Sequence, residues 1–476
     1  MTDPSVTLTL LHTNDIHSHF EAVSQIAQYI AEVRENVDPN QLLLLDCGDF
    51  MDRFRMETEG TEAEVNRALL ESLRYDAIVI GNNEGLTYSQ ESLEKLYKQL
   101  PIPVVCANMK IKNSSNPPDW MSPTLIVEKS GVKIGIVGVT AAFNSFYDLL
   151  GWEAQDPIAV VQQCVEQLRE QADVIILLSH LGLRMDERIA TSVDGIDLIL
   201  GGHTHHLLET PLVIGSTAIS AAGKYGQYIG HLELEIVKEQ SKLIISGGCF
   251  PTAQLPSHRQ TNEILKNYQQ LAMQRMNREV AYLHEPLESD PNTESSLATL
   301  LAMAVRTITN AEIGIVNAGQ LLFGLPKGSV SELTIHTMCP SPINACSLKL
   351  TGGQIKQALE ESLLTKFKEL EIRGFGFRGK VLGCLCIDGL AVTVDLSRAD
   401  YDKIVSTRVN GQPLELDRKY TVGTLDMFTF GVGYLTLGHG NDVQYFLPHF
   451  IRSLLTQALN DQHALKECRQ ARWHFS

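Results

Sequence analysis

Side chains able to bind divalent cations follow five separate apolar runs of the sequence. Each cluster alone has an ordinary explanation, because Asp, Asn and Gly are common in turns and a single His is more often a hydrogen-bonded structural residue than a ligand. Together the clusters supply carboxylate, amide and imidazole donors, a mixture that holds borderline divalent metals without redox chemistry. We therefore predict a metal site built from seven residues: Asp15, His17, Asp49, Asn82, His180, His203 and His205.

One carboxylate of this set, Asp49, is the candidate for a bridge between two cations. A bridging carboxylate offsets the repulsion between two metals and fixes their separation at about 3.5–4 Å, where they can hold the attacking and leaving oxygens of a displacement. The imidazoles favour Mn²⁺ or Zn²⁺ over Mg²⁺, which prefers oxygen ligands; Co²⁺, iron and Mg²⁺ are the further options. Asp46 and Glu84 stand beside ligands in the sequence and are candidates to support them through hydrogen bonds. The expected cofactors are two divalent metal ions.

The elements that must position these residues alternate along the first half of the chain. From Val6 to about Leu255, β-branched or leucine-rich runs alternate with helical apolar spacing at 22–33 and 159–170, which indicates an α/β layered domain. Such folds collect their functional side chains in the loops after the strands. The predicted strands cover residues 7–11, 42–45, 77–80, 104–107, 133–139, 174–178 and 198–200.

The second half of the chain is predicted to be a separate, smaller α/β domain. A segment rich in Gln, Met and Asn indicates a linking helix over 258–285, which divides a domain at 1–257 from one at 286–476. In the second domain the patterns predict a helix at 296–309, strands at 313–316 and 391–395, and a final helix at 450–460.

The composition excludes several classes of protein. A net charge of −17 and a pI near 5.3 argue against binding to polymeric nucleic acid. No apolar run approaches the roughly 18 residues that span a bilayer, and the N-terminus lacks the features of a secretory signal. Nine cysteines without paired spacing suit a reducing compartment, so we expect a cytoplasmic protein in which Cys47, Cys384 and Cys386 are buried apolar residues.

The strand-end motifs resemble those of the calcineurin-like metallophosphoesterases, and within them the bacterial 5′-nucleotidase and UDP-sugar hydrolase family. That family has motifs of the form DxH, GD, GNHE, HxG and GHxH, and the resemblance extends through the second domain. It implies a four-layer α/β sandwich followed by a smaller 5′-nucleotidase-type domain that binds substrate. It also implies two ligand sets, one of Asp15, His17, Asp49 and His205, and one of Asp49, Asn82, His180 and His203.

The chain departs from the family at the motif that supplies the catalytic acid. GNHE reads Gly-Asn-Asn-Glu here, so Asn83 replaces a histidine, and Leu86 replaces the aspartate that pairs with it. Asn83 can donate a hydrogen bond to a phosphoryl oxygen but cannot transfer a proton. The GNNE form resembles the YunD-like branch of the family. His19 and His206 are the candidates to take over the catalytic role. For His206 the alternative is a purely structural role.

The substrate-reading segments of the second domain also differ from the family pattern. Leu322 stands where the family has an arginine that contacts the substrate. Arg373 and Arg378, in a glycine-rich segment, are candidates to grip an anion, with a solvated surface loop as the alternative. Three aromatic residues are candidates for a face that stacks on a base, or for core residues. These are Phe428, Phe430 and Tyr434.

The sequence therefore predicts a metal-dependent phosphoesterase that hydrolyses phosphate or pyrophosphate esters of nucleotides or similar small molecules. The attacking group is expected to be a water activated by the metals. An attenuated nucleotide- or metal-binding module, which lost the His–Asp pair, is the alternative. The expected partner is a small phosphate ester, and the sequence leaves the oligomeric state open.

Overall fold

The computed structural model describes residues 5–114, 116–237 and 242–476. The chain divides into two compact units, Met1–Ala272 and Met273–Ser476, and the division falls within one helix. Both units mix helices and strands, as the sequence predicts.

Two large sheets form the centre of unit 1. One has seven strands in the order β15-β14-β1-β2-β3-β4-β6, the other has six in the order β12-β13-β11-β10-β8-β7, and β5 pairs with β9. All seven predicted strands are confirmed, as β1 to β4, β8, β10 and β11. The bounds are β1 Val6–Thr13, β2 Leu42–Asp46, β3 Ala77–Ile78, β4 Val104–Val105, β5 Met109–Ile111, β6 Met121–Ser122, β7 Thr124–Lys129, β8 Val132–Thr140, β9 Trp152–Ala154, β10 Val174–His180, β11 Leu198–Gly201, β12 Leu212–Ile214, β13 Thr217–Ser220, β14 Tyr228–Val237 and β15 Lys242–Pro251.

The helices of unit 1 include both that the apolar spacing predicts, which are α1 and α7. Helix α7 begins where Asp156 accepts a hydrogen bond from the backbone N–H of Ile158 (2.9 Å) and Pro157 occupies the first turn. The bounds are α1 Phe20–Asn36, α2 Met56–Gly60, α3 Glu64–Leu73, α4 Asn82–Thr87, α5 Gln90–Tyr97, α6 Asn144–Tyr147, a 3₁₀ turn Asp148–Leu150, α7 Pro157–Leu168, α8 Leu183–Ser192 and α9 Arg259–Met276.

Strand β8 shows how the sheets and helices of unit 1 are layered. Ile134 and Ile136 belong to the core that includes buried residues of β1 and β2 in the seven-stranded sheet. Val137 and Val139 point the other way, into a core that includes buried residues of α7 and α8. This alternation places the six-stranded sheet between the other sheet and a helical layer. Every residue of β2 is buried, so both faces of the seven-stranded sheet are covered, and α1 contributes Val23 to this packing as the fourth layer.

The parallel strands of unit 1 explain why the predicted ligands can meet. Strands β1, β2 and β3 run parallel in one sheet, and β8, β10 and β11 run parallel in the other. The carboxyl ends of parallel strands lie at one edge of a sheet, so the loops that follow them converge.

Unit 2 is built on a five-stranded sheet with the order β20-β17-β24-β19-β25, a four-stranded sheet β23-β22-β21-β26, and the pair β16-β18. Its strands are β16 Glu279–Leu283, β17 Ile313–Asn317, β18 Gly328–Ser331, β19 Asn344–Thr351, β20 Leu385–Asp388, β21 Leu390–Val394, β22 Ile404–Val409, β23 Gln412–Pro413, β24 Lys419–Leu425, β25 Asn441–Phe450 and β26 Trp473–Phe475. Its helices are α10 Ser296–Ile308, α11 Glu332–Met338, α12 Gly352–Ser362, α13 Thr365–Lys368, α14 Ile451–Ala458 and α15 Gln462–Glu467, with 3₁₀ turns Ala318–Gln320, Asp426–Phe430 and Leu435–His439.

The structure corrects the extent of two predicted helices. The helix predicted over 258–285 ends at Met276, and β16 occupies part of the remaining segment. The helix predicted at 450–460 is α14, but it is not the final one. Asp461 accepts hydrogen bonds from the backbone N–H groups of His463 and Ala464, and this cap starts α15.

Two further expectations bear on the cysteines and on membranes. All nine cysteines lie in the described ranges and are unpaired, and Cys47, Cys384 and Cys386 are buried. Among the helices that the structure describes, none is both long and apolar enough to cross a membrane.

Candidate metal centre

The loops after β1 and β2 are joined through their backbones. The N–H of Asp15 donates to the carbonyl of Gly48 (3.0 Å), and the N–H of His17 donates to the carbonyl of Asp49 (2.8 Å). These bonds fix the direction of the ligand side chains on both loops. Five predicted ligands have backbone φ angles in the left-handed region: Asp15 (51°), His17 (47°), Asp49 (52°), His203 (74°) and His205 (59°).

A first group of donors surrounds the Nε2 atom of His17. The Nε2 atoms of His17 and His205 lie 3.1 Å apart. Asp15 Oδ1 lies 3.8 Å from His17 Nε2 and 3.5 Å from His205 Nε2, and Asp49 Oδ2 lies 3.7 Å from His17 Nε2. These four residues are the set that the resemblance assigns to one metal.

A second group of donors surrounds the Nε2 atom of His180. This atom lies 3.3 Å from Asp49 Oδ1 and 3.2 Å from the side-chain oxygen of Asn82. The imidazole ring of His203 has its centroid 5.2 Å from that of His180. A side chain at Gly81 would place its Cβ 2.1 Å from Asp49 Oδ1, so only glycine fits between the β3 strand and Asn82.

The orientation of His180 makes Nε2 the ring nitrogen that would bind a metal. Its Nδ1 lies 2.7 Å from the carbonyl oxygen of Cys47, which can only accept, so Nδ1 carries the proton and donates. In the neutral form of the ring, which a metal requires, the lone pair of Nε2 is directed toward Asp49 and Asn82. Metal-binding histidines commonly donate their other ring nitrogen to a backbone carbonyl in this way.

The electrostatics of the site suit cation binding. Burial alone would raise the pKa of Asp49, but His180 and His17 outweigh burial and hold that pKa well below its usual value. Burial lowers the pKa of His203 to about 4 and that of His205 to about 3, so both rings are neutral at pH 7. Burial also opposes the charge on His180, yet the Asp49 carboxylate raises its pKa to about 10. A metal at His180 must therefore displace a proton.

The donor chemistry fits divalent cations. Asp15, His17 and His205 hold donor atoms within 4.8 Å of one another, and so do Asp15, Asp49 and His180. Oxygen and imidazole nitrogen donors in one buried cluster match the preferences of Mn²⁺ and Zn²⁺. The two candidate groups include five of the seven predicted ligands, and Asn82 and His203 border the second group.

Glu84 and Asp46 stabilise the turns that carry the ligands. The Glu84 carboxylate accepts hydrogen bonds from the backbone N–H groups of Asp49 (3.1 Å), Met51 (2.9 Å) and Gly81 (2.8 Å). Asp46 accepts from the Thr13 hydroxyl and from the backbone of the loop after β2. Both residues act as the sequence predicts, by holding loops in place.

Two family models and a related protein match this chain. Residues 8–207 match the family model of the calcineurin-like phosphoesterases, and residues 279–437 match the model of the 5′-nucleotidase C-terminal domain. Over 459 residues the chain is 36% identical to the uncharacterized metallophosphoesterase YunD of Bacillus subtilis, an alignment that covers 95% of this chain and 99% of that protein. The chain belongs to the calcineurin-like phosphoesterases. It is accordingly a hydrolase of phosphate esters, and the resemblance drawn from the motifs is confirmed.

More distant relatives of this phosphoesterase confirm its fold class. The chain is 25% identical over 482 residues to the 5′-nucleotidase of Homo sapiens, covering 87% of this chain and 81% of that protein. The structure of the NAD nucleotidase of Haemophilus influenzae superimposes with a TM-score of 0.69 at 19% identity, covering 99% of this chain and 97% of that one. The predicted four-layer sandwich with a 5′-nucleotidase-type second domain is therefore confirmed.

The predicted catalytic residues of the phosphoesterase lie in different surroundings. The side-chain nitrogen of Asn83 lies 2.9 Å from His17 Nδ1 and donates to the carbonyl of Met51 (3.1 Å). His19 stacks on Tyr225 with a centroid distance of 4.0 Å, and its Nδ1 donates to the carbonyl of His17 (3.0 Å). Its Nε2 is therefore the nitrogen left for other contacts. His206 is exposed, and its Nδ1 lies 2.8 Å from the hydroxyl of Thr204.

The predicted substrate-binding residues of unit 2 divide into buried and exposed sets. Phe428 and Tyr434 are fully buried in the core, and the Tyr434 hydroxyl donates to the carbonyl of Gly383 (2.8 Å), so neither presents a ring face at the surface. Phe430 is 41% exposed and stacks with the exposed Phe375 at a centroid distance of 6.2 Å. Phe428 and Tyr434 are therefore core residues, the second of the two interpretations that the sequence allows.

The two predicted arginines of unit 2 precede and follow Phe375 in the sequence. Arg373 is exposed and pairs with Glu371 (3.3 Å). The backbone N–H of Arg378 donates to the hydroxyl of Ser341 (3.0 Å), which fixes this end of the loop.

Three residues near the metal ligands escaped the sequence analysis. The Asp52 carboxylate is buried and lies 3.4 Å from His17 Nδ1. Tyr225 has ring contacts with His17 and His205 at centroid distances of 5.7 and 6.1 Å, and Lys224 lies over the Tyr225 ring. Asp52 follows the aspartate of the Gly-Asp motif by three residues, too far from the end of β2 to be recognised as a strand-end residue.

The position of Asp52 leads to a prediction for metal affinity. The carboxylate of Asp52 orients the imidazole of His17. We therefore expect Asp52→Asn to lower the metal affinity of the site that includes His17 by about 10–100-fold, and to leave the affinity of the other site unchanged. A calorimetric titration with Mn²⁺ would measure the affinity of both sites. Asp173→Asn, remote from the ligands, is a control for the lost charge. Equal affinities in the two variants would contradict a role for Asp52 in orienting His17.

Proposed function

We propose that this phosphoesterase depends on two divalent metals, preferably Mn²⁺ or Zn²⁺, and hydrolyses phosphate or pyrophosphate esters of nucleotides or similar small molecules. The main support is the position of Asp49, whose two carboxylate oxygens face two separate donor groups, Oδ2 toward His17 and Oδ1 toward His180. A carboxylate in this position suits a bridge between two cations. The names of the relatives, a 5′-nucleotidase and an NAD nucleotidase, support nucleotides as the substrate class.

The residues of the chain divide the work of the proposed reaction. Asp15, His17, Asp49 and His205 would hold one cation, and Asp49, Asn82, His180 and His203 the other. When bound, the cations would lower the pKa of the attacking water and offset negative charge on the phosphoryl oxygens. Glu84 keeps the ligand-bearing turns in register through its three backbone hydrogen bonds. A fixed set of charged groups needs little rearrangement as charge develops in the transition state.

The leaving group receives less help from the protein than in relatives with a histidine at this position. The Asn83 amide can stabilise an oxygen by donating a hydrogen bond, but it has no proton to transfer. His19 is the second proposed contributor because its Nε2 is not used by the backbone contacts that hold Nδ1. We therefore expect a preference for substrates whose leaving groups need little protonation, such as pyrophosphate-linked nucleotides.

The second domain is proposed to recognise the rest of the substrate. The exposed aromatic pair Phe375 and Phe430 offers faces on which a base can stack, and Arg373 and Arg378 flank Phe375 in sequence with guanidinium donors for an anion. Leu322, in place of the family's arginine, supplies no such donor. These side chains are the proposed source of substrate selectivity.

Phosphate release from a substrate panel tests the proposal. The panel contains nucleoside monophosphates, nucleoside diphosphate sugars and NAD, each assayed with Mn²⁺, Zn²⁺, Co²⁺ or Mg²⁺ and after chelation. We expect turnover with Mn²⁺ or Zn²⁺, no turnover after chelation, and the fastest rates on pyrophosphate-linked substrates. Absence of turnover, together with a higher melting temperature in the presence of nucleotides, would favour the binding module instead.

A further inference from the structure

The loop between β13 and β14 is fastened to the loop that carries the first metal ligands. The Asn14 side chain accepts from the N–H of Ala222 (2.8 Å) and donates to the carbonyl of Gly223 (2.7 Å). The N–H of Tyr225 donates to the carbonyl of Asp15 (2.7 Å). These three bonds fix the position of Tyr225 and of its neighbour Lys224 beside the candidate metal centre.

Tyr225 forms an aromatic wall next to the first donor group. Its ring is stacked with His19 at 4.0 Å and approaches His17 edge-on at 5.7 Å. The Lys224 ammonium lies 4.6 Å from the centroid of the Tyr225 ring, a cation–π arrangement that keeps the charge near this wall. The Tyr225 ring that Lys224 covers also lies 6.1 Å from the ring of His205, centroid to centroid.

Among the described residues, Lys224 differs from the neighbouring cations in having no carboxylate partner. Other cations around the centre have carboxylate partners, since Arg53 pairs with Glu59 (2.7 Å) and Arg55 pairs with Glu21 (3.1 Å). Lys224 is half-buried and forms no ion pair with a carboxylate in the part of the chain that the structure describes. In a protein with a net charge of −17, a lysine without a carboxylate partner beside a cluster of ligands is available for an external anion.

We propose that Lys224 binds a non-bridging oxygen of the substrate phosphate, with the Tyr225 ring holding its side chain in place. This inference rests on the proposed function, which it deepens by assigning a phosphate-binding residue within unit 1. An ammonium at this position supplies a positive charge that the amide of Asn83 lacks. Because the charge acts on the phosphate of the bound substrate and of the transition state about equally, it contributes mainly to binding.

The test compares Lys224→Gln with Lys224→Arg and with Lys133→Gln. Lys133 lies on β8, is exposed, and its replacement changes the net charge equally. The affinity of the Mn²⁺-loaded protein for inorganic phosphate is measured by calorimetry, and KM and kcat are measured on the best substrate of the panel. We expect Lys224→Gln to weaken phosphate binding and raise KM by about 10–100-fold, with kcat changed less than about threefold.

The controls separate this inference from the proposed function. Lys224→Arg is expected to retain phosphate affinity within about fivefold, since it keeps the charge, and elemental analysis should find the same metal content in all variants. Equal phosphate affinity in Lys224→Gln and Lys133→Gln would overturn the inference even if the enzyme is active. If no ester is hydrolysed by the unmodified protein, the proposed function fails, while phosphate affinity still decides the role of Lys224.

Discussion

Replacing Asp49 with asparagine is expected to lower phosphate-ester hydrolysis by roughly 10³-fold or more. The proposed metals would stabilise the transition state by several kcal/mol, and a neutral amide would hold them less tightly than the carboxylate. The amide keeps the size of the side chain and can still accept the backbone N–H of Asn83, which Asp49 Oδ1 now accepts at 2.7 Å. The fold should therefore survive. The measurement is kcat/KM in Mn²⁺, together with the number of metals bound.

Asp46→Asn is a matched control for this variant. Burial raises the pKa of Asp46 to about 8, so its carboxyl is largely protonated at pH 7 and an amide replaces it with little change of charge. We expect its activity to fall less than about tenfold, since it supports a turn and does not face the donor groups. An Asp49→Asn protein that keeps two metals and full activity would show that Asp49 is not the bridge.

The second large effect is expected in the opposite direction, from Asn83→His. A histidine at this position restores a group able to protonate the leaving oxygen, an effect worth about 10²–10⁴-fold in general acid catalysis. Only part of this gain is expected, about 10–100-fold on nucleoside monophosphates, because Leu86 cannot orient the ring as an aspartate would. On an aryl phosphate, whose leaving group needs no proton, the rate should change less than about threefold.

The comparison of the two leaving groups shows whether the introduced histidine acts as a general acid or raises activity only by stabilising the structure of the site. Asn83→Gln, which keeps an amide, serves as the control and should give no gain on either substrate. The double variant Asn83→His with Leu86→Asp should add to the gain, and its melting temperature should be compared, because Leu86 packs against the core. An equal increase in the hydrolysis rate of both substrates would show that the gain does not come from general acid catalysis.

The convergence of the candidate ligands could be predicted because the sequence signal for each of them is local. Each ligand follows an apolar run closely in sequence, and parallel strands bring such positions together without further information. Strands β1, β2, β10 and β11 were therefore sufficient to assemble Asp15, Asp49 and His180. The left-handed backbone angles of the ligands could not be read from sequence, because Asp and His tolerate several turn conformations.

The remaining errors concern contacts between distant parts of the chain. Lys224 approaches the ligands only because Asn14 binds its loop, a pairing more than 200 residues apart in sequence. Burial of Phe428 and Tyr434 depends on how unit 2 packs around them, and aromatic residues in a glycine-rich segment look the same in either setting. The sequence predicts a longer helix than α9 because no strong turn signal separates Met276 from the start of β16 at Glu279.

The left-handed turns at the ligand positions also restrict how this family can diverge. A β-branched residue in such a turn costs about 1–2 kcal/mol in backbone energy alone, whatever its chemistry. Asp, Asn and His are the non-glycine types that tolerate the conformation best, and they are also metal ligands. At His203 and His205, as at Asp15, the backbone thus admits chiefly the residues that can bind a cation. Random drift at these positions would then tend to exchange one ligand for another, and the cation preference could change over generations while the fold stays the same.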